Sequence, residues 1–150
     1  MKEILEKVGN ISTCPAAIVV KNKKVLMGYR HYTPDKWKSI SVWTMPGGRC
    51  DAGETLEATL RREIHEEVGI DDIHIVDYLG DIPGAKEGDV VPVFVCTTDR
   101  EPTLMEPEKF SEWRWFAPED FPNDFINLKT LELAKEYLDR HSIDHDDIHS

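Results

Sequence analysis

Three carboxylates and one guanidinium crowd into a short stretch of this 150-residue chain: Arg62, Glu63, Glu66 and Glu67. Glu63 precedes Glu66 by three residues and Glu67 by four, so on a helix all three acids share one face. Like charges at that spacing repel, and a helix built only for structure gains nothing from them. A bound divalent cation turns the repulsion into attraction, because hard cations take carboxylate oxygens. The spacing alone leaves two readings, a solvated acidic face and a cation site.

Such a site needs a rigid support. Leu56, Leu60, Ile64 and Val68 recur every fourth residue and form an apolar stripe for a core. Thr55 has the side chain of an N-cap, and Gly69 stands where a left-handed residue would end the helix. Ahead of it, residues 41–45 read as a short strand entering Pro46-Gly47-Gly48, a turn whose glycines let main-chain atoms approach a ligand. Trp43, just before that turn, reads as a core residue.

Elsewhere, residues 1–12 read as a lead-in with a partial helix. Residues 16–20 and 25–27 form a hairpin around Lys21-Asn22-Lys23-Lys24. Arg30 and His31 begin a polar connection that runs to Lys38, interrupted by Pro34, where substrate contacts are expected. Residues 73–82 and 90–97 are β-branched strands, the first bent near Gly80 and the second carrying Pro92, which suggests an edge or a bulge. A charged loop over 99–111 holds Glu101, Glu106, Glu108 and Lys109 and leads into an alternating strand over 112–116. Asn127 caps a last helix with Leu128, Leu131, Ala134 and Leu138 on its inner side, and the tail from His141 is expected to fray.

The chain suits a single domain over 1–150 with a core that needs no disulfide. Its net charge of −11 argues against duplex nucleic acid and anionic membranes as partners. Cys14, Cys50 and Cys96 lack zinc-ligand spacing, which suits a reducing cytoplasm; Cys50, in the turn before the acidic helix, is the least idle. The first residues carry no apolar leader, and no stretch could span a bilayer.

Gly48, Glu54, Arg62, Glu63, Ile64, Glu66, Glu67, Gly69 and Ile70 match the Nudix box at every defined position, and the chain resembles that hydrolase family. The resemblance implies an α/β fold, an α/β/α sandwich with a mixed sheet between helices. It implies hydrolysis of a phosphoanhydride in a nucleoside diphosphate linked to a further moiety. Mg2+ would be the cofactor, with Mn2+ able to substitute. The ligands would be the Gly48 carbonyl and the carboxylates of Glu63, Glu66 and Glu67. Arg62 would orient the glutamates by bidentate pairing, and Glu54 would stabilise the turn before the helix. The general base stays open among Glu63, Glu106 and Glu108.

For substrate, the resemblance is greatest to MutT-like nucleoside triphosphate pyrophosphohydrolases, on the short chain without an extra domain and on the stretch from Glu106 to Trp115. Arg30, Glu106, Glu108, Trp113 and Trp115 are the candidate contacts, with the two tryptophans expected on opposite strand faces, so that at most one meets the base. Two subfamily markers fit poorly. Pro83 falls short of the proline of ADP-ribose enzymes, and Lys86 stands where dinucleoside polyphosphate enzymes carry tyrosine. An ADP-ribose or nucleotide-sugar pyrophosphatase is the alternative, and a nucleotide-sensing module without turnover is a third reading. A homodimer is an assembly the resemblance allows.

Overall fold

The computed structural model describes residues 1–31 and 41–149, with side chains as far as His141. The connection after His31 thus lies outside the described residues. In chain order the elements are α1 (Lys2–Leu5), β1 (Ala16–Lys21), β2 (Lys24–Arg30), β3 (Val42–Thr44), α2 (Leu56–Val68), β4 (His74–Pro83), β5 (Val90–Thr97), β6 (Phe110–Phe116), a 3-10 turn (Pro118–Asp120) and α3 (Leu128–His149).

The strands form one sheet in the order β3-β2-β1-β5-β4, with β6 also paired to β2. Only the β1–β5 ladder is parallel, so the sheet is mixed. Its central strands are apolar without alternation because both faces are covered. Ala17, Val19, Leu26, Phe94 and Cys96 pack with Leu56, Leu60, Ile64 and Val68 of α2. Their chain neighbours Ile18, Val25, Met27, Val93 and Val95 turn the other way, onto Ala134 and Leu138 of α3. This is the sandwich expected above.

The turn before α2 is zipped onto the entrance of β1. Ala17 N donates to Pro46 O at 2.8 Å, Gly48 N to Pro15 O at 3.2 Å and Cys50 N to Thr13 O at 2.9 Å. A Cβ on Gly47, whose φ is +153°, would stand 2.3 Å from the Pro15 carbonyl oxygen, so only glycine lets the two segments lie this close. Thr55 caps α2 by accepting from Ala58 N at 3.1 Å, and Gly69 closes it with φ +72°.

Two expectations are corrected. Pro92 lies in β5, an interior strand between β1 and β4, where it precedes the first β1–β5 ladder pair, Ala16 with Val93; the register shifts fall in β4, at Ile75/Asp77 and Tyr78/Gly80. Leu128 is 57% exposed, because the buried side of α3 runs through Thr130, Ala134 and Leu138.

Candidate active site

The acidic face of α2 divides into two groups with opposite electrostatics. In the first, Glu54 is held by four donors: Arg62 Nε at 2.7 Å, Arg62 Nη2 at 3.0 Å, Thr59 Oγ1 at 2.6 Å and Asp51 N at 2.9 Å. The Arg62 guanidinium and these hydrogen bonds hold the Glu54 carboxyl down at about 2. Arg62 in turn is raised, first by Glu54, and its remaining donors reach Arg49 O at 3.1 Å, Glu63 Oε1 at 2.9 Å and Glu66 Oε1 at 3.3 Å. Arg62 thus bridges Glu54, Glu63 and Glu66.

In the second group, Glu67 is 5% exposed and accepts from Gly47 N at 2.9 Å. Burial raises its carboxyl well above the usual range, the Gly47 hydrogen bond offsets part of this, and the like charges of Glu63 and Glu106 add to it. Glu63 lies directly over Gly48, where a Cβ would meet its carboxyl carbon at 2.4 Å. Burial raises Glu63 also, against the pull of Arg62 and with the push of Glu66 and Glu106. Glu63, Glu67, Gly47 and Gly48 all line one cavity of about 420 Å³.

The other candidates fall on both sides of this boundary. Arg30 lines the cavity, 5.6 Å from the centre of the Phe110 ring, and lowers the Glu67 carboxyl. Glu106 is half-buried, paired to Lys109 at 3.2 Å, and acts on both Glu63 and Glu67 through its charge. Glu108 is exposed and is not in the cavity wall, and Glu66 is exposed on the Arg62 side. Among the described residues no three His, Cys, Asp or Glu side chains are gathered tightly enough to hold a metal. Arg62 draws Glu63 and Glu66 while Gly47 holds Glu67.

Trp113 and Trp115 correct the expectation of opposite faces. Residues two apart on a strand share a face, and both rings pack against the core cluster under α2. Trp113 covers Gly28, and Trp115 Nε1 donates to Glu101 at 3.1 Å. Neither lines the cavity.

The cysteines are corrected too. Cys50 is sealed beneath Thr59 and Gly9, whereas Cys14 lines the cavity. Burial pushes the Cys14 thiol up, away from the thiolate a nucleophile needs.

Several wall residues carried no local signal. Arg49 makes a two-armed ion pair with Asp89, at 2.9 and 2.6 Å, across 40 residues of sequence. The far wall is formed by Phe125, Ile126, Asn127 and the buried Thr130. Asn127 accepts from Lys129 N at 3.2 Å and donates to Pro83 O at 3.0 Å, pinning the start of α3 to the end of β4.

The buried Glu67 and the half-buried Glu63 thus lie beneath a glycine turn in the cavity of an α/β/α sandwich. The chain belongs to the NUDIX domain family, whose model matches residues 14–139. It is 26% identical over 139 residues to the NAD-capped RNA hydrolase NudC of Mannheimia succiniciproducens, covering 85% of this chain and 51% of that protein. The chain thus spans about half the length of the curated relatives it matches first. A MutT NUDIX hydrolase from Burkholderia pseudomallei superposes with TM-score 0.64 at 28% identity, over 83% of this chain and 95% of that one. The MutT protein of Methanosarcina mazei Go1 shares the fold, with TM-score 0.62 at 22% identity over 92% and 98% of the two chains.

Proposed function

We propose that this chain is a Mg2+-dependent pyrophosphohydrolase that cleaves a (deoxy)nucleoside triphosphate to the monophosphate and pyrophosphate. The observation that carries the reading is the charge arrangement of the cavity. The buried Glu67 and the half-buried Glu63 repel each other on one wall, and Arg30, Arg49, Lys86 and Lys109 stand around them. A phosphate chain with its metal satisfies both sets. The likeness to a MutT NUDIX hydrolase structure, at 28% identity, supports the MutT-like reading.

The donor set fits a hard cation, since Glu63, Glu66, Glu67 and the Gly48 carbonyl offer oxygen alone. Mg2+, or Mn2+ in its place, would neutralise phosphate oxygens and make a bound water more nucleophilic when held by these residues. The chain's own groups do the rest. Gly47 N holds one oxygen of Glu67 and fixes its rotamer. Arg62 sets Glu63 at the cavity wall. Water adds to phosphorus, the anhydride P–O bond breaks, and pyrophosphate leaves with the bonding pair. A carboxylate takes the proton of the water, Glu63 from α2 or Glu106 from the following loop. Of the two loop acids, Glu106 acts on Glu63 and Glu67 through its charge, and Glu108 lies outside the cavity wall.

Product analysis with Mg2+ tests this. The panel holds canonical and damaged (deoxy)nucleoside triphosphates, ADP-ribose, a nucleotide sugar and a dinucleoside polyphosphate. Monophosphate and pyrophosphate from a triphosphate are the expected products. A nucleoside monophosphate with a sugar phosphate, the triphosphates being untouched, would replace this substrate with the ADP-ribose or nucleotide-sugar alternative.

A further inference from the structure

The chain as a whole carries 29 acidic side chains against 18 basic ones, yet its cavity reverses the balance. Arg30, Arg49, Lys86 and Lys109 face Glu63, Glu67 and Asp89. Two of the four cations are already taken, Arg49 by Asp89 and Lys109 by Glu106. Arg30 rests over Phe110. Lys86 has no ion pair within salt-bridge distance among the described residues, and its charge reaches Asp89 only at longer range.

The turn that carries Lys86 is fastened far more firmly than its exposure requires. Residues 85–88 are exposed, so packing does not hold them. Gly84 N donates to Asp89 O at 2.8 Å, and Asp89 N to Lys86 O at 3.1 Å, which closes the turn. A Cβ on Gly84 would meet Asp89 Cβ at 2.6 Å, so this closure needs glycine. Asp89, whose side chain is only 9% exposed, then latches to Arg49, and Arg49 is braced by Ile11 O at 2.9 Å. The other end is fixed where Asn127 donates to Pro83 O. Arg49 directly follows Gly48, over which Glu63 lies, so the latch joins the Lys86 turn to the catalytic turn itself.

We infer that Lys86 binds the phosphate chain of the substrate, and that the Arg49–Asp89 ion pair is the positioning device that holds it at the cavity rim. The inference rests on the phosphate-chain reading given above. An ammonium is a compact point charge suited to non-bridging phosphate oxygens. Asp89 acts only through Arg49 and the turn, so its loss mislays Lys86 without removing it.

The test pairs kinetics with binding of Mg2+-tripolyphosphate by titration calorimetry, in wild type, Lys86→Met, Asp89→Asn, Arg49→Lys and the Lys86→Met/Asp89→Asn double variant. Thermal melting verifies folding of each. Loss of one charged contact is expected to weaken tripolyphosphate binding, and raise KM for the triphosphate, by about tenfold in Lys86→Met, with kcat within about twofold. Asp89→Asn moves KM in the same direction by a smaller factor, Arg49→Lys, which keeps the charge but not the two-armed pair, by a smaller factor still, and the double variant is no worse than Lys86→Met. Unchanged KM and tripolyphosphate binding in Lys86→Met would overturn the inference while leaving the hydrolase reading intact. Should wild type hydrolyse no triphosphate, that reading fails and the binding arm still decides: weaker tripolyphosphate in Lys86→Met upholds the role, and equal or absent binding in wild type ends it.

Discussion

Glu54 and Glu67 are carboxylates near opposite ends of the same thirteen-residue helix, and the protein treats them oppositely. Glu54 is surrounded by the chain's own donors, with Arg62 as its counter-charge, and stays ionised down to about 2. Glu67 is buried with a single amide donor and two like charges nearby, and is pushed up. One carboxylate is complete without a ligand and the other is not. A buried charge left short of partners is costly, so the incomplete group is where the proposed function seats its cation. The complete group marks where the fold is fastened.

The largest effect expected from this contrast is on rate. Glu67→Gln keeps shape and burial but removes the charge, so kcat should fall on the order of 10²–10⁴-fold, while the melting temperature holds or rises. A pyrophosphate-release assay beside a thermal melt reads both, and an active Glu67→Gln enzyme would erase the distinction. Arg62→Met should do the reverse in the first instance. It strands Glu54 among neutral donors and costs about 3 kcal/mol of stability, measurable by urea unfolding.

Acid should separate the two groups further. The folded pKa of Glu54 is depressed, so its contribution is fully present above the ordinary carboxylate value near 4.5 and is lost as pH falls toward about 2. That contribution is on the order of 3 kcal/mol. Glu54→Gln should therefore be less stable than wild type at pH 6, with the gap narrowing below about 4.5 and closing only as pH falls through about 2. Parallel acid curves for the two proteins would show that Glu54 is not the fastening.

Two neighbouring glycines give the smallest and sharpest comparison. Gly47→Ala drives a Cβ into the Pro15 backbone at positive φ and should cost about 1–3 kcal/mol of stability. Gly48→Ala meets only the movable end of Glu63, so stability should change by less than about 1 kcal/mol while turnover falls. Equal stability losses would mean that both glycines serve the fold alone.

What could be read from sequence follows how local each feature is. The acidic helix was legible to its ends, because Thr55, the four-residue apolar stripe and Gly69 are all signals within one element. The sandwich followed from alternating strands and helices and from the family resemblance. Features that depend on distant segments were not legible. β5 became interior because β1 adds in parallel to it from Val93 onward, just past Pro92, a pairing no local pattern encodes. The Arg49–Asp89 latch spans 40 residues, and Cys14 reaches the cavity only because the turn after β3 is zipped to the entrance of β1. The tryptophan assignment is different in kind: the period of a strand already places Trp113 and Trp115 on one face.

The most direct test of the central contrast is a Mn2+ titration followed by electron paramagnetic resonance, on wild type, Glu67→Gln and Glu54→Gln without substrate. The account predicts that Glu67→Gln binds Mn2+ at least tenfold more weakly than wild type and that folded Glu54→Gln binds it nearly as well. Equal binding in wild type and Glu67→Gln would show that the incomplete carboxylate is not the cation site, and would contradict the account.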